Sequence, residues 1–305
     1  IVDVVRRYDI DGVHIDDYFY PYPINENGSP VDFPDGPSWR AYQATGGTFS
    51  KADWRRENVN RMIKGINEAI HAEKPWVKFG ISPFGIYRSG YPAGIVAGLD
   101  QYAELYADAK LWLNEGWCDY FTPQLYWPTH QTKQAYEPLL NWWLSENKQG
   151  RHVWPGNFTS RTNPKEGNWP ASEVAKQVEI TRKSQAGGNV HFSMKAILKN
   201  WNSVRTKLAS FYWEPALVPA SPWLKTDKVS APDTVVRNEK ESTLTWEVVP
   251  GARFYVVQGL QDGKWRTLQV SSLPSYKITG KKPEKLAIRA LDRVGKLSEP
   301  LILEP

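Results

Sequence analysis

The chain has 305 residues, enough for one large domain of roughly 200–250 residues and a small second one. With 41% hydrophobic and 23% charged residues and no apolar run near the ~18 residues of a membrane span, a globular protein without a transmembrane helix is expected. The net charge of +5 is scattered rather than clustered, which argues against a nucleic-acid partner, and the single Cys118 excludes an internal disulfide and a zinc-spaced Cys/His set.

The opening I-V-D-V-V-R-R-Y reads as a helix already under way, so either the protein starts abruptly or a longer one has been cut. Val13 to Ile15 is a short buried strand entered from a D-G turn and followed by Asp16-Asp17, aromatics and Pro21. Residues 22–50, rich in Pro, Gly, Asn and Asp, form a long loop of the kind that carries function or is disordered. A helix over 51–73 follows, with Ser50 as N-cap, Asp53 completing a capping box, and Val59, Met62, Ile63, Ile66 and Ile70 on one face. After Pro75 come the strand V-K-F-G-I-S, a helix over 99–115 and the strand D-Y-F-T-P-Q-L-Y-W. A helix over 133–148, the strand H-V-W-P-G, a helix over 171–185, the strand N-V-H-F-S and a helix over 200–210 complete this part.

Strand and helix alternate, with long loops after the strands and short ones after the helices, which predicts parallel β/α units with the site at the strands' carboxyl ends. About five units can be counted, whereas a closed barrel has eight, so the first three are expected to be absent. From about residue 229 the texture changes to short alternating strands with P-G and D-G turns, the pattern of a small β-sandwich. The domains are therefore placed at 1–224 and 225–305, separated by the proline-rich P-A-L-V-P-A-S-P-W.

Strand periodicity singles out one acid. Successive side chains alternate, so His14, Asp16 and Tyr18 share the barrel interior while Val13, Ile15 and Asp17 face the helices. Asp16 is then presented at the barrel mouth, the alternative being a loop acid that caps the next segment. Asp17 is expected to bond backbone or an arginine of the site wall. The chain also has 15 Trp, 15 Tyr and 10 Phe, side chains that serve as core but also stack on sugar rings.

Five stretches in order, D-G-V-H-I-D-D-Y-F-Y-P-Y-P, W-R-R-E-N-V-N, I-S-P-F-G-I-Y-R, D-Y-F-T-P-Q-L-Y-W and Y-W-E-P-A-L-V-P, resemble the bacterial glycosyl hydrolase-like 10 family. The tail, with T-L-T-W-E-V-V-P-G-A-R-F-Y-V-V-Q, resembles a fibronectin type III module. The fold class implied is α/β: a (β/α)8 TIM-type barrel lacking about its first three β/α units, followed by an all-β fibronectin type III-like sandwich. The first strand would be barrel strand four, and two open sheet edges would need a missing N-terminal segment or a second chain to cover them. The resemblance implies a glycosidase of the bacterial cell envelope, periplasmic or surface-exported, acting on a polysaccharide or oligosaccharide, with peptidoglycan glycan strands as the expected substrate. The rival is a non-catalytic glycan-binding or envelope-scaffold protein.

In amylase-like barrels an Asp at the end of strand four is the nucleophile, and Asp16 looks similar. The catalytic candidates are therefore Asp16 and Asp17. The chitinase-type series D-G-x-D-x-D-x-E puts Tyr18 where its acid would stand, so that mechanism is rejected. Substrate-binding candidates are His14, Tyr18, Tyr20, Arg88, Gln124, Tyr126, Trp127 and Asn157. Glycoside hydrolysis ordinarily needs a second carboxyl. Asp119 and Glu115 are badly placed for it, leaving Glu26, Asp32 and Asp35 on the long loop, or the absent strands. No metal or cofactor is expected.

Overall fold

The computed structural model describes residues 1–280 and 282–304. The chain divides into two compact units, residues 1–74 with 78–207, and residues 75–77 with 208–305. The change of texture suggested a boundary at 224/225. The proline-rich segment instead belongs to the second unit, where the Ser221 N–H donates to the Val294 carbonyl at 2.7 Å.

The first unit opens with α1 (Val2–Arg7) and β1 (Gly12–Ile15), then a hairpin of β2 (Ile24–Glu26) and β3 (Ser29–Val31). Next come α2 (Gly36–Ala44), α3 (Lys51–Glu73), β4 (Lys78–Ile81), α4 (Gln101–Glu104), α5 (Ala109–Asn114) and β5 (Tyr120–Phe121). The remainder is α6 (Tyr136–Ser145), β6 (His152–Val153), β7 (Gly156–Asn157), α7 (Ala171–Lys183), β8 (Val190–His191), α8 (Met194–Leu198) and α9 (Val204–Ala209). Strands β1, β4, β5 and β6 pair in parallel in sequence order, and β7 pairs in parallel with β8. Single parallel bridges, Phe84 to Gln124 and Gln124 to Gly156, carry the pairing onward beyond the strand ends.

Alternation along these strands sets two faces. Phe79, Ile81, Phe121 and Val153 are buried on one of them, where Phe121 meets Trp143 of α6 at 4.9 Å between ring centroids. On the other, His14, Gly80, Tyr120 and His152 stand in register. Tyr120 stacks between His14 at 5.6 Å and Trp154 at 5.0 Å. Only glycine fits at position 80, because a Cβ there would fall within the Tyr120 ring.

The long loop is more ordered than its composition suggests. An Asn27-Gly28 turn, both residues at positive φ, closes the hairpin, and α2 forms behind Asp35 with a proline near its start. Helix α3 has the expected cap, Ser50 accepting from the Asp53 N–H at 3.1 Å. The helix expected over 99–115 is two, because Tyr106 takes a positive φ of 53° and Asp100 and Asp108 each cap a separate start. The helix expected over 200–210 is a 3₁₀ turn followed by the shorter α9, and α8 went unforeseen.

In the second unit β9 (Val235–Asn238), β10 (Thr243–Trp246) and β13 (Ser275–Lys277) form one antiparallel sheet in the order β13-β10-β9. The other holds β11 (Phe254–Gln261), β12 (Lys264–Ser271), β14 (Lys285–Leu291) and β15 (Leu301–Leu303), ordered β12-β11-β14-β15. Alternate residues of both sheets, among them Leu244, Trp246, Tyr255, Val257 and Ile288, make one core. No described helix is long and apolar enough to cross a membrane.

Candidate active site

The carboxyl ends of β1 and of the strand containing β5 bring two predicted residues together. The Gln124 side-chain amide donates to Asp16 Oδ1 at 2.9 Å and to the Ser82 carbonyl at 3.1 Å. The Asp17 backbone N–H also donates to Asp16 Oδ1, at 3.0 Å. Among the described residues Asp16 Oδ2 has no partner, and Asp16 is exposed.

Asp17 is its opposite: 5% exposed, and bonded through Oδ2 to the Tyr22 hydroxyl at 2.7 Å. Burial raises its pKa, the Tyr22 bond works against that, and the charge of Asp16 adds to the rise. Where backbone or an arginine was expected, the side-chain partner is a tyrosine, and Tyr22 is a site residue that strand periodicity could not find, because it lies beyond the strand on the following loop. Two neighbouring carboxyls therefore sit in different surroundings, one solvated and doubly hydrogen-bonded, the other buried with its pKa raised. Such divergence separates an acid from its partner in glycosidases.

Tyr126 belongs to the same cluster. Its hydroxyl is pushed well above the ordinary tyrosine value, first by burial and then by the charges of Asp16 and Asp17. Its ring packs on Phe158 at 4.8 Å and Phe192 at 5.8 Å, while Tyr22 meets Tyr18 at 5.4 Å and Phe84 at 6.0 Å. Tyr18, 69% exposed, and the exposed Phe192 leave an aromatic rim open to solvent. On the strand holding Gln124, the buried Thr122 has an Oγ1 without a partner among the described residues.

The other candidates have separate occupations. His14 bonds the Tyr120 hydroxyl at 3.1 Å, and its desolvation lowers its pKa against the opposing pull of Asp16. Tyr20 packs edge-on against Phe33 and Tyr106 and lies in the anchor of the long loop. Arg88 is tied to Asp100 at 3.1 Å and lies over the Tyr102 ring. Trp127 is half-buried, its carbonyl accepting from Gln177. Asn157 is fully buried, donating to Gln177 Oε1 at 2.8 Å and to the Tyr136 hydroxyl at 3.1 Å, so it braces helices α6 and α7 rather than joining the carboxylates.

The loop acids are also engaged. Arg55, 4% exposed, grips Asp35 with two bonds of 2.8 Å and reaches Asp32 at 2.7 Å and the Tyr106 hydroxyl at 2.7 Å. Arg55 holds Asp35 below the usual carboxylate range, and Asp32, bonded by Lys51 at 2.6 Å as well as by Arg55, is held at about 2. Breaking a buried pair by removing one partner costs about 3–5 kcal/mol, so this clamp fixes the loop. Neither acid is therefore a proton donor, and Glu26 is exposed on the hairpin. Asp119 is buried at a strand start, accepting the Phe79 N–H at 2.7 Å and bonded to His71. No group of three His, Cys, Asp or Glu among the described residues could hold a metal ion.

A model of the glycosyl hydrolase-like 10 family matches residues 1–164, more than half of the chain. The chain belongs to this family. It is 40% identical over 255 residues to glycosyl hydrolase YngK of Bacillus subtilis (strain 168), covering 80% of this chain and 49% of that protein. Glycosyl hydrolase DigH of Escherichia coli (strain K12) is 41% identical over 155 residues, 50% of this chain and 34% of that one. The chain thus spans half or less of the length of these relatives. Chitinase ChiA74 from Bacillus thuringiensis superposes with a TM-score of 0.41 at 12% identity over the whole chain and 60% of the chitinase, too low for the match to bear on the fold. Within the glycosyl hydrolase-like 10 family match lie β1, β4, β5 and β6, and with them Asp16, Asp17, Tyr22, Gln124 and Tyr126.

Proposed function

We propose that this member of the family is a glycoside hydrolase of a bacterial glycan, with peptidoglycan glycan strands as substrate, and that Asp16 and Asp17 are its catalytic pair. The observation that carries this is the contrast between the two adjacent carboxyls. Asp17, buried and bonded to Tyr22, is the general acid that protonates the leaving oxygen. Asp16, held by Gln124 and the Asp17 N–H, supplies negative charge against the developing oxocarbenium ion, the role the amylase comparison would give a nucleophile. The open aromatic rim of Tyr18, Tyr126 and Phe192 offers faces on which sugar rings stack.

The five parallel strand positions in sequence order support reading the first unit as part of a (β/α)8 barrel wall, its site at the carboxyl ends. The three- and four-stranded antiparallel sheets support a fibronectin type III-like second unit, a spacer or docking module. A peptidoglycan substrate implies action in the cell envelope, in the periplasm or at the surface.

Release of reducing ends from purified peptidoglycan glycan strands tests the reading. The protein is expected to release them, and Asp16→Asn is expected to lower the rate by ~10²–10⁴-fold with the fold intact. An unchanged rate in Asp16→Asn would remove Asp16 from the mechanism. Strand binding without release by the wild-type protein would favour the non-catalytic glycan-binding reading, which the exposed rim also fits.

A further inference from the structure

The hydrolase reading leaves a gap, and the geometry of the pair points to what fills it. Glycosidases that use two protein carboxyls place them ~5–9.5 Å apart, flanking the sugar, so that one acts on each face. Asp16 and Asp17 are sequence neighbours, and the bond from the Asp17 N–H to Asp16 Oδ1 ties them to one wall of the site. Four of the other described carboxyls are committed elsewhere. Asp32 and Asp35 lie on Arg55, Asp100 on Arg88, and Glu173 takes the Thr129 N–H at 2.6 Å.

Two atoms have no protein partner among the described residues. Both donors to Asp16 fall on Oδ1, which leaves Oδ2 an acceptor without a partner among the described residues. The Tyr126 hydroxyl, which senses both carboxylate charges, is likewise a donor with no described partner. An acceptor and a donor, each without a protein partner, together complement a secondary amide, which offers one N–H and one C=O.

We infer that this site cleaves a glycosidic bond to a β-linked sugar bearing a 2-acetamido group, and that the acetamido oxygen is the nucleophile. The inference rests on the hydrolase reading and names its substrate class. In the first step the acetamido carbonyl oxygen bonds to the anomeric carbon as the glycosidic C–O bond breaks, and Asp17 gives its proton to the departing oxygen. Asp16 Oδ2 accepts the amide N–H and balances the positive charge of the resulting oxazolinium ring, and Tyr126 orients the amide oxygen. In the second step water loses a proton to Asp17 and bonds to the anomeric carbon, and the ring oxygen–carbon bond opens to restore the acetamide. Asp17 ends protonated, so the cycle closes without a co-reactant, and the anomeric configuration is retained. Asp16 thereby backs the nucleophile instead of serving as one, and the acid missing at position 18 of the chitinase-type series stands one residue earlier.

The test compares hydrolysis of glycan strands carrying native N-acetyl groups with strands re-acylated as N-trifluoroacetyl, and measures by calorimetry the binding of the thiazoline analogue of N-acetylglucosamine. Fluorination weakens the amide oxygen as a nucleophile, so a fall of at least ~10-fold in rate is expected, together with thiazoline binding that Asp16→Asn and Tyr126→Phe each weaken by ~10-fold or more. Hydrolysis at equal rates on both strands, without thiazoline binding, would overturn the inference and leave the hydrolase reading standing. Neither hydrolysis nor thiazoline binding would overturn both.

Discussion

At the scale of single residues, Asp17 carries the proposed chemistry. Its pKa is raised in the folded protein above the unfolded value of ~3.9, so the folded state binds this proton more tightly than the unfolded one. Stability contributed by the proton is therefore full below pH ~3.9 and lost as pH rises through the folded value, leaving a penalty at neutral pH. Asp17→Asn removes the penalty while its side-chain oxygen still accepts from Tyr22. The variant is expected to be more stable than the wild type at pH 7, by the ~0.5–2 kcal/mol typical of relieved active-site residues, with the gain vanishing below pH ~4. Denaturant unfolding at the two pH values measures it. Tyr22→Phe acts in the opposite direction on the same proton. The hydroxyl bond favours the carboxylate, so its loss raises the Asp17 pKa further and moves the basic limb of the kcat–pH profile upward; an unmoved limb would make Tyr22 a packing residue only. Sequence periodicity led to Asp16 and Gln124 because both obey the two-residue repeat of their strands. It could not rank Asp17, since burial depends on the loop that folds over it, and it placed Asn157 at the mouth when that amide braces two helices.

At the scale of elements, the parallel strands were legible from their apolar cores and the turns before them, and α3 from its cap and face. The breaks were not. A helix expected over 99–115 splits at Tyr106, a residue whose hydroxyl is called away to Arg55, and the capping aspartates at 100 and 108 were the available signal. The loop over 22–50 hid a hairpin whose Asn-Gly turn is a recognised marker, and its two acids, candidates for catalysis by position alone, turn out to serve the Arg55 clamp. One element-scale substitution tests the interior layer. Gly80→Ala would place a methyl group within the Tyr120 ring, displacing the side chain that bonds His14 two residues before Asp16. A loss of at least ~1–3 kcal/mol in thermal unfolding is expected, as for overpacked cores, with activity falling alongside. A neutral Gly80→Ala would mean that Tyr120 does not hold the place described.

At the scale of the whole chain, alternation of strand and helix followed by a run of short strands marked two units, and the change of period is where they differ. The boundary lay earlier than the change of texture because prolines, which lack an amide hydrogen, carry no periodic signal, and the segment's place is set by contacts such as Ser221 to Val294. Family membership places the chain among glycosyl hydrolase-like proteins but assigns no role to any residue, so the role proposed for Asp17 is the central claim. The most direct measurement is the leaving-group dependence of Asp17→Asn. An acid matters when the departing oxygen is basic and little when it is a good leaving group. Asp17→Asn is therefore expected to lose ~10²–10⁴-fold in kcat/KM, which reports the bond-breaking step, on natural glycan strands and far less in kcat/KM on a dinitrophenyl glycoside. An equal loss on both substrates would contradict the assignment of Asp17 as the general acid.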